Sequence, residues 1–352
     1  MYPKVHRAFL VGILLVGGLQ ALGKNCRDCH ASEVDSYQQT AHYLTSSPPT
    51  AQSILGKFTA GDNILKTVNP NLFFRMEERG GAFTQTAVAG AHPRSERIAI
   101  VVGSGDKGQT YLFWDSDQLF ELPVSYWAEL GWVNSPGYRD GFADFERPVI
   151  PRCLECHATY IKATPPPENS YAENSLVNGI QCEKCHGPSA AHAASPRAEI
   201  LNPAHFSRKR QMDLCAWCHA GHGQPLKASF AYLPGESLDQ YIHFPPHDAN
   251  APLDVHGNQV DMLKLSRCFR ESQMTCLTCH NVHVTQHDLA QFSQRCLDCH
   301  KPASATFARP DHKLVSNCID CHMPRQETNL IVFNTDGKQA KPLVRNHLIK
   351  VY

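Results

Sequence analysis

Hydrophobic positions along this chain rarely hold one period for long, and the exception is the interval from about Lys57 to Pro151. There Ala82 to Val88, Arg97 to Val102 and Gln109 to Trp114 form short runs of strand character, rich in β-branched and aromatic residues. Turn-forming residues separate them at Gly103 to Asp106 and Asp115 to Asp117, so the interval predicts an antiparallel β meander. The aromatic stretch from Tyr126 to Phe145 reads as filling for its core rather than as a docking face for a partner. Outside the interval the pattern predicts short helices. Ser32 is placed to cap a helix over Glu33 to Leu44 that carries His42, and the run Ser46 to Pro49 stops it. Near the C-terminus, Leu330 to Phe333 is a candidate strand.

Composition changes this picture through cysteine. Of 15 cysteines, 14 fall into seven copies of Cys-x-x-Cys-His: Cys26, Cys29 and His30; Cys153, Cys156 and His157; Cys182, Cys185 and His186; Cys215, Cys218 and His219; Cys276, Cys279 and His280; Cys296, Cys299 and His300; Cys318, Cys321 and His322. The spacing suits covalent attachment of haem c. Two thiols one helical turn apart can add to the two vinyl groups of one porphyrin, and the adjacent histidine then lies under the iron. Zinc ribbons and dithiol redox sites also use Cys-x-x-Cys, but neither needs a histidine directly after every second cysteine. Seven haems c are therefore expected, and Cys268 alone has no place in a motif.

Net charge narrows the partners. Thirty-three basic residues balance 33 acidic ones, which argues against nucleic acid or an anionic membrane surface as an electrostatic target. Residues 1–23 read as an export signal, with Lys4, His6 and Arg7 before an uncharged stretch from Ala8 to Leu22. Export to the periplasm would agree with the motifs, because c-type attachment is completed outside the cytoplasmic membrane. Between the signal and the C-terminal tail (326–352), the expected segments are a first haem segment (24–56), the β-rich insert (57–150), motifs two to four (151–230), a histidine-containing connector (231–270) and motifs five to seven (271–325).

Each iron needs a second axial ligand. His30, His157, His186, His219, His280, His300 and His322 are the motif histidines, and thirteen further histidines are available, one of them in the signal. His283 lies only three positions after His280, so it is expected to serve a neighbouring iron rather than reach across its own porphyrin. The same cross-ligation is expected of His42 and His192, and His312, His256 and His347 complete the favoured set. One more ligand would come from among His205, His222, His243, His247 and His287. Methionine would raise a haem's potential, but the six present are few beside this supply.

The stretches Cys182-Glu-Lys-Cys185-His186-Gly-Pro188 with His192, Met274-Thr-Cys276-Leu-Thr-Cys279-His280 with His283, and Asn317-Cys318-Ile-Asp-Cys321-His322-Met-Pro324 resemble the multihaem cytochromes of the cytochrome c-554 and c-552 group. That group belongs to the wider set with hydroxylamine oxidoreductase and pentahaem nitrite reductase. The resemblance implies a multihaem cytochrome c fold, mainly short α-helices and loops around stacked haems, here with a β-rich insert. It also implies periplasmic electron transfer and distal roles for His42, His192, His283 and His312. The small members of the group carry four haems rather than seven, and the lysine that usually replaces the motif histidine at the catalytic haem of the nitrite reductases is absent here.

Two functions fit. One is an electron carrier passing electrons between redox proteins or quinol-linked complexes. The other is an oxidoreductase acting on a small nitrogen or sulfur compound at one five-coordinate haem, with Tyr138, Arg139, Arg147 and His92 of the insert as candidate walls.

Overall fold

The computed structural model describes residues 25–221, 223–245, 258–301, 317–328 and 330–352. The expected signal over 1–23 and the candidate ligands His222, His247, His256 and His312 lie outside the described residues.

After a 3-10 turn at Cys26–Asp28, helix α1 runs Ala31–Tyr37. A reciprocal cap closes this turn, the Asn25 side chain accepting from the Asp28 amide at 3.1 Å and the Asp28 carboxylate accepting from the Asn25 amide at 2.9 Å, with Cys29 at its C-cap. Helix α1 is also shorter than the hydrophobic pattern predicts, and His30 rather than Ser32 stands at its N-cap. The Ser32 hydroxyl donates to Glu33 instead, and the chain turns at Gln38 to Thr40, leaving His42 beyond the helix.

Ten strands follow: β1 (Ser46–Ser47), β2 (Ile64–Lys66), β3 (Leu72–Arg79), β4 (Ala82–Ala89), β5 (Arg94–Arg97), β6 (Ile100–Val102), β7 (Gly108–Asp115), β8 (Gln118–Glu121), β9 (Val124–Trp127) and β10 (Gly131–Asn134). They form two antiparallel sheets, one in the order β2-β3-β4-β5 and the other β1-β6-β7-β9-β10 with β8 on β7. The expected strand Arg97 to Val102 is broken at Ile98 and Ala99, because the chain leaves one sheet there and enters the other. Both sheets contribute to one core, with Phe74, Met76 and Phe83 meeting Tyr111, Phe113, Val124 and Trp132. Gln85, fully buried, ties the sheets through its side-chain amide, donating to the Val124 carbonyl at 2.7 Å and accepting from the Val124 amide at 3.2 Å. Each such buried aromatic contributes about 1.5–3 kcal/mol. The aromatic stretch after β8 is core, as its pattern predicts: Trp132 and Phe145 join the central cluster and Tyr138 is buried.

Helix α2 (Pro151–His157) leads into the hairpin β11 (Ala158–Ala163) and β12 (Tyr171–Asn178). Then come α3 (Glu183–His186), α4 (Ala190–Ala194), α5 (Arg208–His219), the short pair β13 (Gln224–Pro225) and β14 (Ile242–His243), α6 (Gln259–Leu265), α7 (Arg267–Arg270), α8 (Leu289–Cys299) and α9 (Ile319–His322). In the tail β15 (Arg325–Glu327) pairs with β18 (Leu343–Arg345), and β16 (Phe333–Thr335) with β17 (Lys338–Ala340). Phe333 packs on Trp127 with ring centroids 4.9 Å apart, so the tail closes against the β module.

This architecture corrects the expectation of a mainly helical protein. Among the described residues strand accounts for 27% and helix for 25%, because hairpins recur beyond the insert at β11-β12 and in the tail, while the motif-bearing helical segments span only 3 to 12 residues.

Candidate haem ligand sites

Every motif is wound into a helical turn. The histidine amide donates to the carbonyl of the first cysteine in the first, third, fifth, sixth and seventh motifs, at 2.8, 2.9, 2.9, 2.8 and 3.0 Å. In the second and fourth motifs the same residues lie within α2 and α5. Such a turn puts both thiols and the imidazole on one side of the backbone, which is what attachment of one porphyrin by two thioethers and one axial nitrogen requires. The first motif keeps this arrangement although Cys29 lies outside its 3-10 turn, because the Cys29 amide still donates to the Cys26 carbonyl at 3.3 Å. Cys29 is exposed, as are Cys153, Cys299 and Cys321. Exposure does not oppose attachment, since a thiol must be open beside the backbone to meet a vinyl group.

Four motif histidines each face a histidine from another part of the chain. His30 faces His192 with ring centroids 6.4 Å apart, His186 faces His283 at 6.0 Å, His219 faces His42 at 6.0 Å, and His280 faces His347 at 6.5 Å. Ordinary aromatic pairs cover about 4.5–7 Å, so the distance alone would not distinguish a ligand pair. Its recurrence does, because every pair joins one motif histidine to one histidine outside the motifs. An imidazole nitrogen sits about 2.0–2.1 Å from a first-row metal ion and a ring centroid about 1.2 Å behind its nitrogen, so two rings on opposite sides of one iron have centroids about 6.4 Å apart. The chain therefore fits iron held between paired imidazoles.

The surroundings of the rings fit as well. The Nδ1 atoms of His186, His192, His322 and His347 lie 2.8, 2.9, 2.8 and 3.1 Å from the carbonyls of Leu201, Ala198, Lys350 and Arg345. A carbonyl only accepts, so each of these Nδ1 atoms carries the proton and Nε2 keeps its lone pair for a metal. His157 Nδ1 lies 2.9 Å from Thr45 Oγ1, and Ser46 Oγ donates to the His157 carbonyl, which fixes the second motif against the segment after α1. Surrounding protein pushes His219 and His347 down to about 4 and also lowers His42, His280 and His283. All five are thereby held neutral, the form that ligates. His42 and His219 are both exposed in the chain alone.

Of the distal ligands expected from sequence, the fold brings His42, His192, His283 and His347 to motif histidines. His243 and His287 are exposed. His205 lines a cavity of about 520 Å³ together with His186, Pro188, Glu199, Ile200 and Leu201, but the ring facing His186 is that of His283. Cys268 is half-buried on α7, close to Cys279 and Cys299. Sequence reasoning missed Lys184. This buried lysine donates to the Thr159 carbonyl at 3.1 Å and lies over the Trp217 and Phe230 rings at 4.1 and 4.7 Å, where burial lowers its ammonium to about 8. Three of the four candidate wall residues make contacts within the β module. Tyr138 donates to the Glu121 carbonyl, Arg147 stacks over Tyr138, Arg139 covers Phe142, and His92 is exposed.

The cytochrome c554 and c-prime family matches residues 141–187, which hold the second and third motifs. A multiheme cytochrome MtrA from Shewanella baltica is 27% identical over 174 residues, covering 42% of this chain and 51% of that protein, so the chain spans about half the length of the curated relative it matches. Among solved structures, the outer cell wall cytochrome OcwA shares the fold at a TM-score of 0.57 and 15% identity, over 92% of this chain and 78% of that one. An undecaheme cytochrome from the S-layer of Carboxydothermus ferrireducens aligns with a TM-score of 0.44 at 17% identity, over 93% of this chain and 51% of that one.

Proposed function

We propose that this chain, a multihaem c-type cytochrome, is an exported electron carrier that holds seven haems c and passes electrons between other redox proteins or quinol-linked complexes. The observation that carries the reading is the set of four imidazole pairs, each spaced for one iron. In this reading all fourteen motif cysteines form thioethers, the exposed Cys29 included. The seven motif histidines are proximal ligands, and His192, His283, His42 and His347 are distal to His30, His186, His219 and His280. His256 and His312 are proposed for two of the remaining irons.

When bound, haem c supplies a reversible one-electron iron couple. The chain's own groups do the rest. The carbonyls of Leu201, Ala198 and Arg345 orient the imidazoles by accepting their Nδ1 protons, and surrounding protein keeps the His347 ring neutral. At the four paired sites two imidazoles would leave no position for a substrate, which favours a carrier over a catalyst. Location in the periplasm is proposed from the signal-like residues 1–23.

Absorption and electron paramagnetic resonance spectra of the oxidised and reduced protein test this. A carrier with closed irons gives low-spin signals only and does not respond to carbon monoxide, nitrite or hydroxylamine. A high-spin component that binds any of these would overturn the reading in favour of an enzyme.

A further inference from the structure

The motifs do not sit in space in the order they occupy along the chain. α2, with the second motif, packs against α5, with the fourth. Arg152 donates to the Trp217 carbonyl at 2.7 Å, Cys156 Sγ lies 4.0 Å from the same oxygen, and the thiols of Cys156 and Cys218 are in contact. The third motif reaches the fourth through Lys184, whose Nζ lies 4.1 Å from the centre of the Trp217 ring. The fifth reaches it through Cys276, which lies 3.8 Å from Met212 Sδ on α5 and touches Cys215.

Beyond this cluster the contacts continue pairwise. Cys26 of the first motif touches Cys182 of the third, and His30 faces His192 just after that motif. Phe292, on the helix that carries the sixth motif, packs against His280 of the fifth with ring centroids 5.2 Å apart. The seventh joins the sixth where the Cys318 amide donates to Ser293 Oγ at 2.9 Å and Cys318 touches Cys296.

We infer that the fourth motif is a fork in the electron path, from which one arm runs through the third motif to the first, a second ends at the second motif, and a third runs through the fifth and sixth to the seventh. The inference rests on the carrier reading above. Its physical basis is that motif residues border the porphyrin edge, so motifs that touch, through their cysteines or, at the third and fourth, through Lys184 on Trp217 and, at the fifth and sixth, through Phe292 on His280, bring two edges together, and electron transfer slows steeply with edge separation. A linear relay has one entrance and one exit. A forked one lets electrons arriving on any arm leave by either of the other two. The fork is also where the buried lysine lies, with Trp217 only 3% exposed beneath it.

A crystal or cryo-electron-microscopy structure of the haem-loaded protein, with irons placed, tests the order. The iron at His219 is expected to have three close iron neighbours, those at His157, His186 and His280. If the iron at His157 lies nearest to some other iron, or the iron at His219 has two close neighbours, the fork is wrong while the carrier reading stands. Absence of iron at any of these four motifs would overturn both.

Discussion

At the scale of single residues, the proposed ligation rests on four imidazole pairs, which would set the spin state and potential of the irons they hold. His347 reaches His280 because the tail is pinned at Ser266, whose hydroxyl donates to the His347 carbonyl and accepts from the Ile349 amide. Replacing the imidazole separates ligation from packing. His347→Ala is expected to convert one of seven haems to high spin, with the low-spin spectrum restored by added imidazole, whereas His347→Met keeps low spin and raises one potential. Redox titration followed by absorbance reads both, and an unchanged spectrum in His347→Ala would remove His347 from the ligand set. Acid should act through the same rings. A base whose folded value lies below its ordinary 6.5 binds protons more weakly when folded, so the stability linked to His219 and His347 is complete above about 6.5 and declines as pH falls toward about 4. The motif histidines are legible in sequence because attachment fixes their spacing. Their partners are only partly so, since His192 and His30, or His347 and His280, meet through tertiary folding that no local pattern encodes.

At the scale of elements, the β11-β12 hairpin and the first haem segment meet at a tight contact. Gly179 has φ of +64°, and a Cβ there would lie 2.0 Å from the Tyr43 carbonyl, while the Ile180 amide donates to the His42 carbonyl at 3.0 Å. The end of β12 thus presses on the segment that presents His42. Gly179→Ala adds about 1–2 kcal/mol of left-handed backbone strain to that clash, and is expected to displace His42 and weaken low-spin ligation at His219, read by carbon monoxide binding. In the β module, Phe113→Ala should cost about 3–5 kcal/mol in thermal or denaturant unfolding of the sheets, with the redox titration unchanged, because Phe113 packs within that core. The strands Ala82–Ala89 and Gly108–Asp115 were readable because small, β-branched and aromatic residues dominate them. Leu72–Arg79 escaped notice because Arg75, Glu77, Glu78 and Arg79 mask the alternation of Leu72, Phe74 and Met76, which are the residues that turn inward. In the tail, the strand expected over Leu330 to Phe333 begins only at Phe333, as β16, and its three-residue partners hold too little pattern to register.

At the scale of the whole molecule, two sources of cohesion coexist. The β module has a core of its own side chains, whereas the motif helices are short and are organised around positions that pair across the chain. The sheets therefore bury their own side chains without any porphyrin. Chain produced without haem attachment is accordingly expected to retain the strand signal in circular dichroism while losing most helical signal; loss of both would show that the sheets also depend on haem. The balance of 33 basic and 33 acidic residues predicts that exchange with redox partners depends only weakly on ionic strength, as stopped-flow rates across a salt series would show. All of this presupposes a porphyrin at every Cys-x-x-Cys-His. Intact mass of the purified red protein measures that directly: the account predicts the processed chain plus seven haems, and a mass corresponding to fewer would contradict it.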